Sequence, residues 1–340
     1  MKIIIDVMSG DNAPEEIIKG VFLALNEYPM IDIIMTGNKD VIETVCKTNN
    51  FDLNNERISI VHTESVISME DSPLSVVREK ADSSMGQGLK MLAQGEADAM
   101  VSAGNTGALH AGSTLIVRRI KGYLRSAIAT VIPFETPLLL IDSGANTEVT
   151  KEQMEQFAVM GSIYMNRIFG VENPRVGLAN IGTEETKGTK QLIETHNYLS
   201  GSEKINFVGN IEGKQIPFSA CDVLVCDGFT GNIILKTTEG LASFLMKKLK
   251  NIFTKNAATK VSALMMKGQM RQFKKDFDPS EYGGAPLLGI SKPVIKAHGS
   301  SDAIAVKNAV RQTIDFINTG IIVELARQVQ KKAEEEENHE

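Results

Sequence analysis

No Cys-x-x-Cys pair occurs among the three cysteines, Cys46, Cys221 and Cys226. An odd, scattered set of thiols fits a reducing compartment without structural disulfides, and it argues against a thiolate metal site. No uncharged apolar run approaches the roughly 20 residues needed to span a bilayer. Asp6 interrupts the apolar start Ile3-Ile4-Ile5, so no secretory core forms there and a cytoplasmic protein is expected. The common nucleotide fingerprints are missing too. No Gly-x-Gly-x-x-Gly follows a strand-like run. The nearest approach to a P-loop, from Gly182 to Thr189, has one residue too many between its glycines and two acids where phosphates would lie. Neither Gly-x-Ser-x-Gly nor His-Glu-x-x-His occurs, so no hydrolase triad or zinc site is signalled. No metal and no cofactor is therefore expected. The net charge of -6 includes five acids near the C-terminal end, Glu334 to Glu337 and Glu340, and the rest of the chain is close to neutral. Nucleic acid is accordingly not an expected partner.

What is present is alternation. Lys2 to Asp6, Ile31 to Met35 and Ile58 to Val61 read as short buried strands, with a helical pattern from Lys39 to Cys46 between the last two. Asn12-Ala13-Pro14-Glu15-Glu16 reads as a helix start with a cap, a proline near the first position and first-turn acids. Further helices are expected over about 73–94, in one or two pieces, and over 106–119, 150–169, 229–250, 301–317 and 320–333. Alternating strands and helices of this kind make a largely parallel sheet covered on both faces. We expect residues 1–333 to form a single αβα domain with an inserted basic helical arm at about 241–281, followed by an acidic flexible tail over 334–340.

Five apolar runs end in small polar residues: Val101 to Gly107, Leu140 to Asn146, Leu178 to Glu185, Phe207 to Asn210 and Val225 to Asn232. Helix N-termini present unpaired N–H groups that favour an anion, and glycine lets the backbone approach it closely. Gly104, Asn105, Thr106 and Gly107 form the best such candidate; the plain alternative is a capped turn. Asp227, Gly228, Thr230, Gly231 and Asn232 have the same form. Asn146 and Asn180 sit in the second and third loops. Lys187, amid Glu184, Glu185 and Gly188, is a candidate cation for a developing oxyanion or phosphate, or else one half of a surface ion pair. His298, before Gly299-Ser300-Ser301-Asp302, is a candidate proton or hydrogen-bond donor, unless Asp302 caps it locally. Ser83 and Ser84 resemble a helix cap that could double as a ligand contact. Cys221 and Cys226 read better as buried small hydrophobes than as nucleophiles. Between Glu239 and Asp276 there is no acid, while nine lysines and arginines occur with an apolar, methionine-rich pattern. Lys260, Val261, Leu264, Met265, Lys267 and Arg271 are its candidate contacts with anionic lipid or an acidic protein, the alternative being a dimer arm with a solvated basic face.

These motifs resemble, in register along nearly the whole chain, those of the bacterial phosphate acyltransferase family. The stretches that carry the resemblance are Asp6 to Asp11, Ser102 to Leu109, Asp142 to Asn146, Asn180 to Glu185, Gly209 to Gly213, Asp227 to Asn232 and Tyr282 to Gly289. Ser9 stands where that family commonly has a second glycine, and Asn12 where histidine is frequent. The resemblance implies a Rossmann-like three-layer αβα fold related to those of phosphotransacetylase and isopropylmalate dehydrogenase. It implies acyl transfer from acyl carrier protein to inorganic phosphate, giving acyl phosphate for phospholipid synthesis. A homodimer, peripheral on the inner face of the cell membrane and feeding a membrane glycerol-3-phosphate acyltransferase, is implied as well. Phosphate is a competent nucleophile and a thiolate a good leaving group, so positioning and oxyanion stabilisation suffice without a covalent intermediate. Lys187, Asn232, His298 and Asn105 are then the catalytic candidates. Asp6, Gly10 and Asp11 in the first loop join Ser83, Ser84 and the strand-end residues as substrate-binding candidates. The rival readings are a phosphotransacetylase using an acyl-coenzyme A, a decarboxylating dehydrogenase, and a non-enzymatic membrane scaffold. The last leaves the five polar loops unexplained.

Overall fold

The structure, a computed structural model, describes residues 1–256, 259, 262, 264–270 and 282–337, with the side chains of 331–337 left aside. The chain opens with β1 (Lys2–Asp6), α1 (Glu15–Glu27), β2 (Asp32–Gly37), α2 (Lys39–Thr48) and β3 (Ile58–His62). Then come α3 (Ser84–Gln94), β4 (Ala99–Ser102), α4 (Thr106–Gly112), β5 (Ala127–Ile132), β6 (Leu138–Ile141) and α5 (Lys151–Phe169). The rest comprises β7 (Arg175–Asn180), α6 (Lys190–Ser200), β8 (Asn206–Glu212), β9 (Val223–Val225), α7 (Gly228–Phe253), β10 (Gly284–Leu288), β11 (Val294–Ala297), α8 (Ala303–Asn318) and α9 (Ile321–Glu337). Among the described residues eleven strands lie in the order β3-β2-β1-β4-β11-β10-β5-β6-β9-β7-β8.

This is the mainly parallel, three-layer αβα arrangement expected from the alternation. The antiparallel pairings gather at the centre, where β10 runs against β11 and β5, and β5 against β6. β10 changes partner half-way: Gly284, Ala285 and Pro286 pair with β11, while Leu287 and Leu288 pair with β5. It therefore joins two half-sheets. Each is apolar on both faces, as the run of isoleucines in β1 shows. Ile3 and Ile5 pack with α1 and α8 on one face, while Ile4 packs with α3 residues Met85, Leu89 and Leu92 on the other. Strand periodicity of two splits one apolar run between two cores. The second half-sheet repeats the plan, with Leu139 and Ile141 against α5 residues Phe157 and Met160, and Leu138 and Leu140 on the opposite side.

Two local details differ from the sequence reading. Asn12 does not cap α1, which starts after Pro14 without a side-chain cap. The Asn12 amide instead donates to the carbonyls of Ser300 and Ser301, tying the first loop to the last. Gly209 does not end a strand: at φ 96° it sits inside β8, where the pairing with β7 shifts register. A left-handed glycine accommodates the extra residue of such a bulge. The helix expected over 229–250 is present as α7, which runs unbroken for 26 residues through position 241. Leu264, Met265 and Lys267 are exposed, and Lys260, Val261 and Arg271 lie outside the described residues. At the C-terminal end, α9 carries the backbone helix to Glu337. Among the described residues no helix is long and apolar enough to cross a membrane.

The contact of α1 with α8 gives a direct test of this packing. A Cβ on Gly20 would lie 2.5 Å from Val306 Cβ and 2.8 Å from Ala303 O. Gly20→Ala is expected to cost about 1–3 kcal/mol of stability through overpacking. Adding Val306→Ala removes Cγ1, 2.7 Å away, but keeps Cβ and Ala303 O, so it should recover little of the loss in urea denaturation midpoints.

Candidate active site

The ends of β1, β4, β11 and β6 and the start of α7 surround a cleft of about 1200 Å³ over the junction of the two half-sheets. How α7 is seated decides its shape. The Asp142 carboxylate is fully buried at the end of β6 and accepts five hydrogen bonds. Oδ1 takes the backbone N–H groups of Ile128 (3.2 Å), Gly144 (3.0 Å) and Ala145 (2.9 Å). Oδ2 takes the N–H and the side-chain amide of Asn146, at 2.7 and 2.8 Å. Asn146 also donates to Ser126 O, so its side chain is spent on holding this turn. α7 then docks on the turn through two glycines. Gly228 N–H donates to Asn146 O at 2.6 Å, and a Cβ on Gly231 would come within 1.9 Å of Asp142 O. Asp227 caps the helix, accepting the N–H of Thr230 at 2.8 Å and its hydroxyl at 2.9 Å.

On the other side Asp6 is the buried anchor. Ser102 Oγ donates to it at 2.8 Å, and Ser102 Oγ accepts Gly104 N–H at 3.1 Å. Burial raises the Asp6 carboxyl, with the hydroxyls of Ser84, Ser9 and Ser102 opposing. Gly10, at φ 120°, lets the first loop pass between Ala103 and Gly299, where Asp11 N–H donates to Gly299 O. Ser83 caps α3 through Gly86 N–H. Asn105 is engaged at both ends. Its Oδ1 caps α4 through Ala108 N–H, and its amide donates to the carbonyls of Ser68, Met69 and Asp71. Both amide protons are thus engaged, and Asn105 ties this loop to the segment over 68–71. A Cβ on Gly107 would meet Pro73, which explains that glycine by packing.

Of the residues expected from the sequence, Asp11, Gly104, Thr106, Gly228, Asn232 and His298 line the cleft. Asp6, Gly10, Ser83, Ser84, Asn105, Gly107, Asn146, Asp227, Thr230 and Gly231 are not among its lining residues; those traced above hold the loops that line it. Lys187 is not brought to the cleft. It follows β7, one strand beyond β9, and its Nζ lies 3.8 Å from Glu184 on a loop organised by the Asn180 amide, which donates to Lys187 O.

The structure adds cationic groups that sequence reasoning missed. Lys296 Nζ, from β11, donates to Ala103 O (3.2 Å) and Ala297 O (2.5 Å) while lining the cleft. Burial, with Lys236 adding to it and Asp11 and Asp6 opposing, pushes its ammonium down to about 8. Lys236 Nζ is 2.7 Å from Glu239 Oε2 and 3.4 Å from His298 Nε2. Burial pushes the Glu239 carboxyl up, but hydrogen bonds from His298 and Lys236 outweigh it and hold the group below its ordinary value. Ser300 N–H donates to His298 Nδ1 at 3.2 Å, while Nε2 lies 3.4 Å from Lys236 Nζ and 3.8 Å from Glu239 Oε2 at the cleft lining. Asp302 does not cap this histidine; it caps α8 through Ala305 N–H. Asn232, Lys236 and Glu239 stand at helical spacings of four and three, a one-face pattern that was available in the sequence. Lys296, a charge inside the strand-like run Val294-Ile295-Lys296-Ala297, was the other readable signal.

The cleft has two chemical ends. Lysines, His298 and Asn232 make one end fit for an anion, while Ile128, Val131, Ile132, Phe134, Leu235 and Met246 offer an apolar wall. Cys221 and Cys226 are buried away from it, and burial pushes the Cys221 thiol up to about 12, so neither is poised as a nucleophile.

Residues 1–324 match the family model described as "Fatty acid synthesis protein". A phosphate acyltransferase of Thermoanaerobacter pseudethanolicus is 44% identical over 336 residues, covering 98% of this chain and 99% of the relative. One from Alkaliphilus oremlandii is 45% identical over 337 residues, with 99% of each chain covered. Among solved structures, a phosphotransacetylase from Streptococcus pyogenes superposes with a TM-score of 0.62 at 16% identity, covering 94% of both chains, a likeness of fold.

Asp142→Ala should orphan five buried donors and unseat α7. We expect a loss of at least about 3 kcal/mol in chemical denaturation, the scale of breaking a hydrogen-bonded buried charge. Asp142→Asn, which keeps an acceptor oxygen, should cost less.

Proposed function

The chain belongs to the phosphate acyltransferase family and is an acyltransferase of fatty acid and phospholipid synthesis; we propose that it forms acyl phosphate reversibly from acyl-[acyl carrier protein] and inorganic phosphate. The observation that carries this reading is the one cleft lined both by Lys236, Lys296, His298 and Asn232 and by the apolar residues Ile128, Val131, Ile132, Phe134, Leu235 and Met246. Phosphate binds among Lys236, Lys296 and the backbone near Gly104, Thr106 and Gly228. The acyl chain lies along the apolar wall. Phosphate oxygen attacks the thioester carbonyl, and the Asn232 amide or His298 Nε2–H donates to the oxyanion as it forms. Pre-placing both reactants accounts for most of the required rate, so no enzyme-bound acyl group is needed. Lys187 has an exposed pairing with Glu184, worth little in water, so that pairing would not itself hold the cation back from a phosphate.

The acyl donor, partners and location follow from the same proposal. The exposed, basic continuation of α7 supports docking of acidic acyl carrier protein, and exposed Leu264 and Met265 support peripheral attachment to the inner membrane face. That attachment would deliver acyl phosphate to a membrane glycerol-3-phosphate acyltransferase. The exposed stripe Phe229, Ile233, Leu241, Phe244 and Leu245 on α7 supports a homodimer.

Incubating the purified protein with palmitoyl-acyl carrier protein and phosphate should yield palmitoyl phosphate by mass spectrometry. A product obtained only from palmitoyl-coenzyme A would favour the phosphotransacetylase alternative. Asn232→Ala and Lys187→Ala should each lower the rate at least about 10-fold with the fold intact. A normal rate for Lys187→Ala would leave the cationic task to Lys236 and Lys296. Leu264→Glu should weaken co-sedimentation with phosphatidylglycerol vesicles; unchanged binding would reject membrane contact there.

A further inference from the structure

We propose that Lys296 is the proton carrier of the acyl transfer, taking a proton released by the attacking phosphate and delivering it to the departing sulfur. The inference rests on the reaction proposed above. In that reaction hydrogen phosphate and a thioester become acyl phosphate and a thiol. The carbonyl carbon gains a bond to phosphate oxygen and loses its bond to sulfur, whose bonding pair leaves as thiolate. One proton must pass from the phosphate to that sulfur, and no oxidant or further reactant is involved. Lys296 gives its proton to the thiolate and recovers one from the phosphoryl oxygen, ending the cycle unchanged.

The geometry singles out this side chain. A neutral amine has two N–H donors, and two backbone carbonyls, Ala103 O and Ala297 O, receive hydrogen bonds from Lys296 Nζ. Both protons of the neutral form are therefore accounted for. The third position on nitrogen is a lone pair or an N–H according to protonation, and Lys296 lines the cleft. Its backbone is fixed in β11 between β4 and β10, with Ser102 and Ala285 as register partners. The other two basic groups are placed differently. Lys236 is 53% exposed and paired with Glu239, and His298 is 52% exposed with Nδ1 engaged by Ser300.

The charged and titratable groups around Lys296 come from several elements. Asp6 and Asp11 belong to β1 and its loop, Lys236 and Glu239 to α7, and His298 and Asp302 to the loop after β11. Burial and Lys236 favour the neutral amine, and the two aspartates favour the ammonium. The balance near 8 leaves both forms accessible close to neutral pH, as a group that must give and regain a proton requires.

Two measurements test this. The first needs no acyl substrate: amine-selective acylation of the intact protein over a range of pH, with the Lys296 peptide quantified by mass spectrometry. A labelling midpoint near 8 is expected; one at the ordinary lysine value of about 10.4 overturns the proposal. The second is kinetic. If the wild type makes acyl phosphate, Lys296→Arg keeps the charge but cannot exchange its proton. It should lower kcat about 100-fold or more and abolish the alkaline limb of the kcat profile. Added ethylamine should partly restore Lys296→Ala. A raised KM for phosphate with unchanged kcat in Lys296→Arg, or a wild-type profile, would overturn the assignment and leave Lys296 a phosphate anchor. A wild type that makes no acyl phosphate while Lys296 still titrates near 8 refutes the proposed reaction, and this proton transfer with it. Circular dichroism and thermal melting of both variants separate these outcomes from misfolding.

Discussion

The buried carboxylate of Asp142 is the interaction on which the site depends. A charge with no solvent contact is tolerable only where hydrogen-bond donors replace water, and here five of them converge from β5 and from the turn after β6. The turn they fix is the platform for α7, and Gly228 and Gly231 let the helix backbone close onto it. What α7 brings to the cleft, including Asn232, Lys236 and Glu239 and the apolar Leu235 and Met246, is aimed by that contact. The opposite wall repeats the device. Asp6 receives Ser102, Ser102 receives Gly104 N–H, and Asn105 staples the loop to the carbonyls of residues 68, 69 and 71.

The two half-sheets explain how such walls come to face each other. β10 hydrogen-bonds to one half-sheet with its first three residues and to the other with its last two, so the strand-end loops of both halves border one cleft. The central antiparallel strands also contribute a face, and β5 supplies part of the apolar wall. Polar loop ends meeting an apolar strand face are what an acyl group bonded to an anion needs.

Much of this was legible in the chain. The isoleucine run of β1, the 3.6-residue patterns and the glycine-rich strand ends sufficed for a mainly parallel αβα fold, because burial on both faces leaves a mark that no local packing detail can hide. The strand-end loops were also found correctly, except at Gly209. There a left-handed glycine inside a bulge looks the same in sequence as a turn. Roles within the loops were harder. Asn105 and Asn232 both stand beside a helix start, yet one spends its side chain on capping and three carbonyls while the other lines the cleft.

By itself, then, the sequence determined the alternation of elements, the two-faced sheet and the positions of the polar loops, since these follow from periodicity and local backbone chemistry. The tertiary structure alone decided which polar groups remain available. Asp142 and Asp6 are consumed inside the scaffold, Lys187 stays beside Glu184 outside the cleft, and Lys296 is drawn into it by pairing between strands nearly 200 residues apart in the chain, β4 and β11. Hydrogen-bond capacity is finite, and whether a donor faces a substrate or a neighbouring carbonyl depends on contacts that no local pattern encodes.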